Sequence, residues 1–217
     1  MVCMDCHTAR EIHGDGTEYK SYNEPGFFDV KCSNCHSALT KSASHTVHKN
    51  KLDCAVCHTA ETVTCLNCHI DARLEKTKVK TPQLKNLFFL VNHDGKIKLA
   101  NMLSYVYQGK TMITFAPTFS HSIKKEGKKC ADCHVSQIVN DMAKNKFNLV
   151  RWENNELKSA EGVVPVLEGY NWNLVYMNWN IADSCWVPIN NPPEPLLNYS
   201  GFCSPITKEQ FLKLSKK

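Results

Sequence analysis

HTVHKNKLDCAVCHTAETVTCLNCH, residues 45–69, contains Cys-x-x-Cys-His twice, as Cys54, Cys57, His58 and as Cys65, Cys68, His69. Six residues separate the two motifs, and His45 and His48 precede them. The spacing has a chemical reading. Two thiols two residues apart reach the two vinyl groups on one edge of a porphyrin, and the histidine that follows lies under the iron as its proximal ligand.

Outward from this stretch the motif recurs as Cys3, Cys6, His7, as Cys32, Cys35, His36, and as Cys130, Cys133, His134. Chance, at this chain's own Cys and His frequencies, predicts on the order of 0.03 such motifs. Ten of the twelve cysteines fall in the pattern. A zinc site built from paired Cys-x-x-Cys units does not explain a histidine after every second cysteine. A thioredoxin-type redox motif would occur once. The expected cofactors are five haem c groups, each with iron.

Ten histidines are present. Five are proximal, which leaves His13, His45, His48, His93 and His121, one spare imidazole per iron. The simplest assignment is bis-histidine ligation throughout. Methionine is the rival sixth ligand, and six are available, but Met1 and Met4 crowd the first motif and the others read as filler in apolar stretches. His45 and His48, three residues apart, face one side of a helical turn. An iron accepts one further ligand, so the two histidines serve different haems if both ligate.

About 43 residues per porphyrin is little protein, so the macrocycles are expected to supply much of the core. Fully extended, the step from His58 to Cys65 spans at most about 25 Å, which brings those two haems close. The expected architecture is mostly irregular coil, with short helices wrapped around a stacked haem chain, minor β-hairpins and low regular secondary structure. Residues 1–144 form the pentahaem-binding region, with a haem-free insertion at about 71–120. Within it, residues 86–99 read as a hairpin turning at Asp94-Gly95, and Tyr105 to Phe115 as a strand pair turning at Gln108-Gly109. Residues 145–217 form a haem-free C-terminal region with a hairpin at Asn154-Asn155 and a disulfide between Cys185 and Cys203. Its Tyr170, Trp172, Tyr176, Trp179 and Trp186 are expected on haem faces or in a small core.

The formal charge of +5 carries no dense basic stripe, and the lysines at 124, 125, 128 and 129 read as a solvated loop, not a nucleic-acid patch. The longest apolar run, Leu87 to Val91, is far short of the ~20 residues that span a bilayer. Haem attachment takes place outside the cytoplasm, and Cys3 leaves no room for a leader, so the chain reads as exported with its signal peptide removed.

With its two histidines followed by two closely spaced motifs, residues 45–69 resemble the small outer-surface multihaem cytochromes of metal-reducing and syntrophic microbes. The resemblance covers about residues 1–140. Some members of that group polymerise into extracellular cytochrome filaments. It implies an extracellular or outer-surface electron conduit, a homo-oligomer or filament in which His13 ligates a haem of a neighbouring subunit, and redox proteins or extracellular acceptors as partners. Two alternatives stay open: a monomeric periplasmic or surface shuttle, and a multihaem reductase of nitrite, hydroxylamine or a sulfur oxyanion. The nitrite reductases of similar haem count use a Cys-x-x-Cys-Lys haem, and none occurs here. The chain is therefore read as an electron carrier, not an enzyme.

Overall fold

The computed structural model describes residues 2–70, 83–180 and 182–216, and of His69 and Trp179 only the backbone. Residues 71–82 of the expected insertion lie outside the described residues, as does Met1.

The centre of the fold is the apolar run Leu87-Phe88-Phe89-Leu90-Val91, all five buried. A run without polar alternation suits a strand covered on both faces. It forms β3 (Leu87–His93), which turns at Asp94 (φ 51°) and Gly95 (φ 69°) into the twelve-residue β4 (Lys96–Tyr107). Left-handed conformation at both central residues is what a two-residue hairpin requires. The same turn chemistry at Gln108-Gly109 leads into β5 (Lys110–Pro117).

Two strands flank one edge of β4. Its first half pairs with β3, and its second half pairs in parallel with β1 (Val63–His69), which in turn pairs with β2 (Gln83–Lys85). The C-terminal region adds two parallel strands. After the hairpin of β6 (Val150–Glu153) and β7 (Glu156–Ser159), β8 (Gly162–Pro165) pairs with β3. A second small hairpin, β9 (Met177–Asn180) and β10 (Cys185–Pro188), precedes β11 (Leu196–Tyr199), which pairs with β5. The result is a mixed seven-stranded sheet.

Alternation along β3 divides the core. Leu87, Phe89 and Val91 join one cluster with Phe115, Trp172, Tyr170 and Tyr176. Phe88 and Leu90 join another with Leu99, Val163, Ile206 and Val56. The aromatic residues Tyr170, Trp172 and Tyr176 therefore fill a polypeptide core. Trp172 packs 5.1 Å from Phe115 and 5.2 Å from Tyr170, between ring centres.

This corrects the expected irregular coil wrapped around a stacked haem chain: strand makes up 32% and helix 20%. Each hairpin alone is marginal in water. What turns them into a sheet is parallel pairing with β8 and β11 from far along the chain, and no local turn signal announces such pairing. The boundary expected at residue 144 is crossed by both of these pairings, so residues 83–117 and the C-terminal region build one β unit.

The helices are short: α1 (Ala9–His13), α2 (Ala43–Thr46), α3 (Cys54–His58), α4 (Cys130–Cys133), α5 (Gln137–Ala143) and α6 (Lys208–Ser215). Residues 2–55 contain no buried residue, and Val2, Met4, Ile12, Tyr22, Leu39 and Val47 are exposed.

Candidate haem-ligand pairs

Four of the five motifs adopt one local shape. Cys3 and Cys32 each begin a single 3₁₀ turn, and Cys54 and Cys130 each begin one helical turn. In the first, second and fifth, the histidine N–H donates back to the carbonyl of the first cysteine, at 2.9, 2.9 and 2.7 Å. That wraps both thiols and the imidazole onto one side of a turn. The turn at 54–58 is fastened to the sheet by Val56, which is fully buried.

The fourth motif is different. Cys65-Leu66-Asn67-Cys68-His69 lies in β1, with a bulge between Cys65 and Cys68 and Asn67 at φ 56°. Leu66 and Asn67 are fully buried, and Leu66 joins the cluster opposite the one that holds Val56. Cys65 and Cys68 both neighbour Tyr105, so the bulge keeps the two thiols together.

Three proximal imidazoles each face a second imidazole. His7 lies opposite His121, His58 opposite His45, and His134 opposite His48, and every pair has ring centres 6.2 Å apart. The planes are 46°, 26° and 17° from parallel. That separation lies toward the outer end of aromatic contact, so ring attraction is a poor reason for three pairs to share it. An iron between two imidazole nitrogens needs about 2.0 Å for each bond and roughly 1.1 Å from each nitrogen to its ring centre, about 6.2 Å in all. The sites fit the group.

Hydrogen bonds fix the tautomers to match. Nδ1 of His58 donates to the Lys124 carbonyl (3.0 Å), that of His134 to the Lys213 carbonyl (3.0 Å), and that of His45 to the Thr40 carbonyl (2.9 Å). A carbonyl only accepts, so the proton sits on Nδ1 and the lone pair is left on Nε2. His7 Nδ1 donates to Glu11 Oε2 at 2.8 Å. Glu11 also accepts from the backbone N–H of Thr8, Asp29 and Val30. Burial pushes its carboxyl up, but His7 and these backbone donors outweigh it and hold it below the ordinary range. Gly127 lies against the His58 ring, where a Cβ would sit 3.4 Å from it, about ordinary contact.

The four helical-turn motifs are contiguous. Arg10 Nε donates to Asp29 Oδ2 at 2.7 Å, which joins α1 to the approach of Cys32. The Cys32 thiol is raised by burial and then by its neighbour Cys54. Burial, then the nearby Cys57, pushes the Cys133 thiol up to about 12. Thr59 bridges Ile123, two residues beyond His121.

The remaining residues are not brought together. His13 and His36 are exposed and face no other imidazole among the described residues. His93, expected as a distal ligand, is 4% exposed at the end of β3, and its Nε2 donates to the Asn23 carbonyl at 2.6 Å. The hydrophobic run that precedes it carries it into the sheet. The expected Cys185–Cys203 disulfide is absent: both are free thiols. Cys185 is exposed on the β9–β10 hairpin. Cys203 is buried behind β11, where its Sγ donates to the Phe115 carbonyl at 3.6 Å and burial pushes it up to about 11.

Among the described residues, no three of His, Cys, Asp and Glu converge as they would on a bare ion. Among the described residues, no helix is long and apolar enough to cross a membrane. No family model, curated protein or solved structure matches the chain.

Proposed function

We propose that this chain is a multihaem c-type cytochrome that carries electrons, holding five haem c groups at its five Cys-x-x-Cys-His motifs. The observation that carries the reading is the shared 6.2 Å separation of His7–His121, His45–His58 and His48–His134. Two imidazoles alone leave a six-coordinate iron four ligands short. A porphyrin supplies the four equatorial nitrogens that such a clamp lacks.

The exposed N-terminal segment points the same way. A 54-residue stretch with no buried residue cannot offset its conformational entropy by polypeptide burial. Large apolar macrocycles bonded to Cys3, Cys6, Cys32 and Cys35 give its exposed aliphatic side chains something to cover.

Haem held at these residues would supply a ferric/ferrous couple. The chain's own part is to hold the imidazoles rigidly, through backbone carbonyls and Glu11, so that geometry changes little when an electron arrives. His45 in α2 and His48 in the turn that follows it place two clamps side by side, and Cys57 beside Cys133 sets the edges of those same two sites together. Neighbouring sites at this spacing suit conduction.

The finer reading is an extracellular or outer-surface conduit that assembles with copies of itself. Exposed His13 and exposed His36 are complementary halves of one clamp, and His13 of one subunit completing the His36 site of the next would join copies end to end. Mass spectrometry of the secreted chain tests the cofactor, with the increment of five covalent porphyrins expected. A colourless chain of apoprotein mass overturns the proposal. Electron microscopy tests the assembly: an H13A protein that stays monomeric where the parent polymerises supports the shared clamp. Monomers of the parent at high concentration favour the soluble shuttle.

A further inference from the structure

We infer that one iron per chain has no second imidazole, because His93 is committed to holding the N-terminal segment against the sheet, and that this iron takes a small exogenous axial ligand of the diatomic or cyanide class. The inference rests on the cytochrome reading above.

The commitment of His93 is visible from three sides. Its Nε2 lies 2.6 Å from the Asn23 carbonyl, which can only accept, so Nε2 carries the proton and offers iron no lone pair. The other nitrogen, Nδ1, is buried without a hydrogen-bond partner. Asn23 is itself wedged: at Gly201 on its far side, an added Cβ would lie 2.5 Å from the Asn23 amide nitrogen. A macrocycle has no way in without dismantling the contact between the 21–24 turn and the sheet.

The count then falls short. Five bis-histidine irons need ten imidazoles, and the chain has ten histidines. With His93 withdrawn, nine remain. Six of these form the three facing pairs, so His13, His36 and His69 are left for two irons. Assembly cannot make up the difference, because every identical chain brings the same nine. His13 can complete the His36 site or the His69 site, within a chain or across subunits, and the other stays without an imidazole. Thioether ligation is a poor substitute: Met102, Met142 and Met177 are at most 2% exposed in the core, Met112 is half-buried mid-strand in β5 between β4 and β11, Met4 lies inside the first motif, and Met1 lies outside the described residues. An iron with an empty sixth position binds small ligands that six-coordinate neighbours exclude.

The test uses the full holoprotein. A pyridine haemochrome assay first counts haem per chain; a count below five is a failure of the cytochrome reading and is distinguished at this step. The reduced protein is then titrated with carbon monoxide, and the oxidised protein is examined by EPR with and without cyanide. The expected result is uptake of about one carbon monoxide per chain, with a high-spin ferric signal that cyanide abolishes. The H93Q variant keeps a donor for the Asn23 carbonyl and should leave that uptake unchanged. Five low-spin irons with no carbon monoxide uptake in the parent overturn the inference. So does an H93Q protein that gains a carbon monoxide site, and the parent result stands alone if H93Q does not fold.

Discussion

The ring centres of His48 and His134 lie 6.2 Å apart, their planes within 17° of parallel, although 85 residues separate them in sequence. Three residues away, His45 faces His58 at the same distance. One turn of chain thus serves two sites. Replacing either histidine by alanine is expected to open one site and leave the other closed. H48A should convert the iron at Cys130 and Cys133 to high spin, and H45A the iron at Cys54 and Cys57. Each variant should bind about one more carbon monoxide per chain than the parent. Assignment of the altered haem by paramagnetic NMR checks the pairing, and the same haem changing in both variants would refute it.

Glu11 ties His7 to the backbone of residues 29 and 30, and its side chain is only 1% exposed. Because its folded-state pKa lies below the ordinary value, it contributes stability at pH values above the ordinary carboxyl range. That contribution is lost as pH falls through the lowered value. E11Q keeps the shape and loses the charge. A loss of about 1–3 kcal/mol is expected at neutral pH, the usual range for a hydrogen bond to a charged group, shrinking toward zero in acid. Chemical denaturation at neutral and acid pH measures it.

Gly201 stands at φ +64° with the Asn23 side chain against it. G201A adds both a strained backbone conformation and a 2.5 Å approach that cannot be tolerated. The backbone part alone costs about 1 kcal/mol. Hydrogen exchange should quicken at residues 21–24, where Asn23 loses its hold on His93. Unchanged protection there would show that the 21–24 turn is held by something else.

Phe115 is fully buried and touches Phe89, Trp172 and Tyr199. F115A should cost about 3–5 kcal/mol through the cavity left in the sheet. The imidazole pairs lie outside that cluster, so the visible spectrum at temperatures below the new melting point is expected to match the parent. A spectral change in the folded variant would mean that sheet and ligand pairs are not separable.

The sequence spoke clearly wherever a signal was local. Asp94-Gly95, Gln108-Gly109 and Asn154-Asn155 each make the turn their residues demand, with both central residues at positive φ. The apolar run 87–91 was readable as a strand, but its length hid its meaning. A strand buried on both faces needs a layer over each, and its parallel neighbour β8 and its covering residues Trp172 and Ile206 all arrive from far along the chain. The histidine count suggested one spare ligand per iron, and counting cannot see that the run before His93 carries it into the core. The pairing of His121 with His7 depends on a loop closure over 114 residues. Cys185 and Cys203 read as a disulfide because they are the two cysteines outside the motifs in a chain expected to be exported, yet that says nothing of the sheet that buries Cys203 against the Phe115 carbonyl.

Residues 2–55, none of them buried as a whole residue, have a consequence for manufacture on the cytochrome reading. Their thiols at Cys3, Cys6, Cys32 and Cys35 are all exposed, so porphyrin could be joined to them with no unfolding of the sheet. The sheet draws β8 and β11 from beyond residue 160, and so closes only after those strands have been made. On the cytochrome reading the open segment could be loaded before the sheet is finished, and the Asn23 carbonyl on His93 is the point where the two are fastened together.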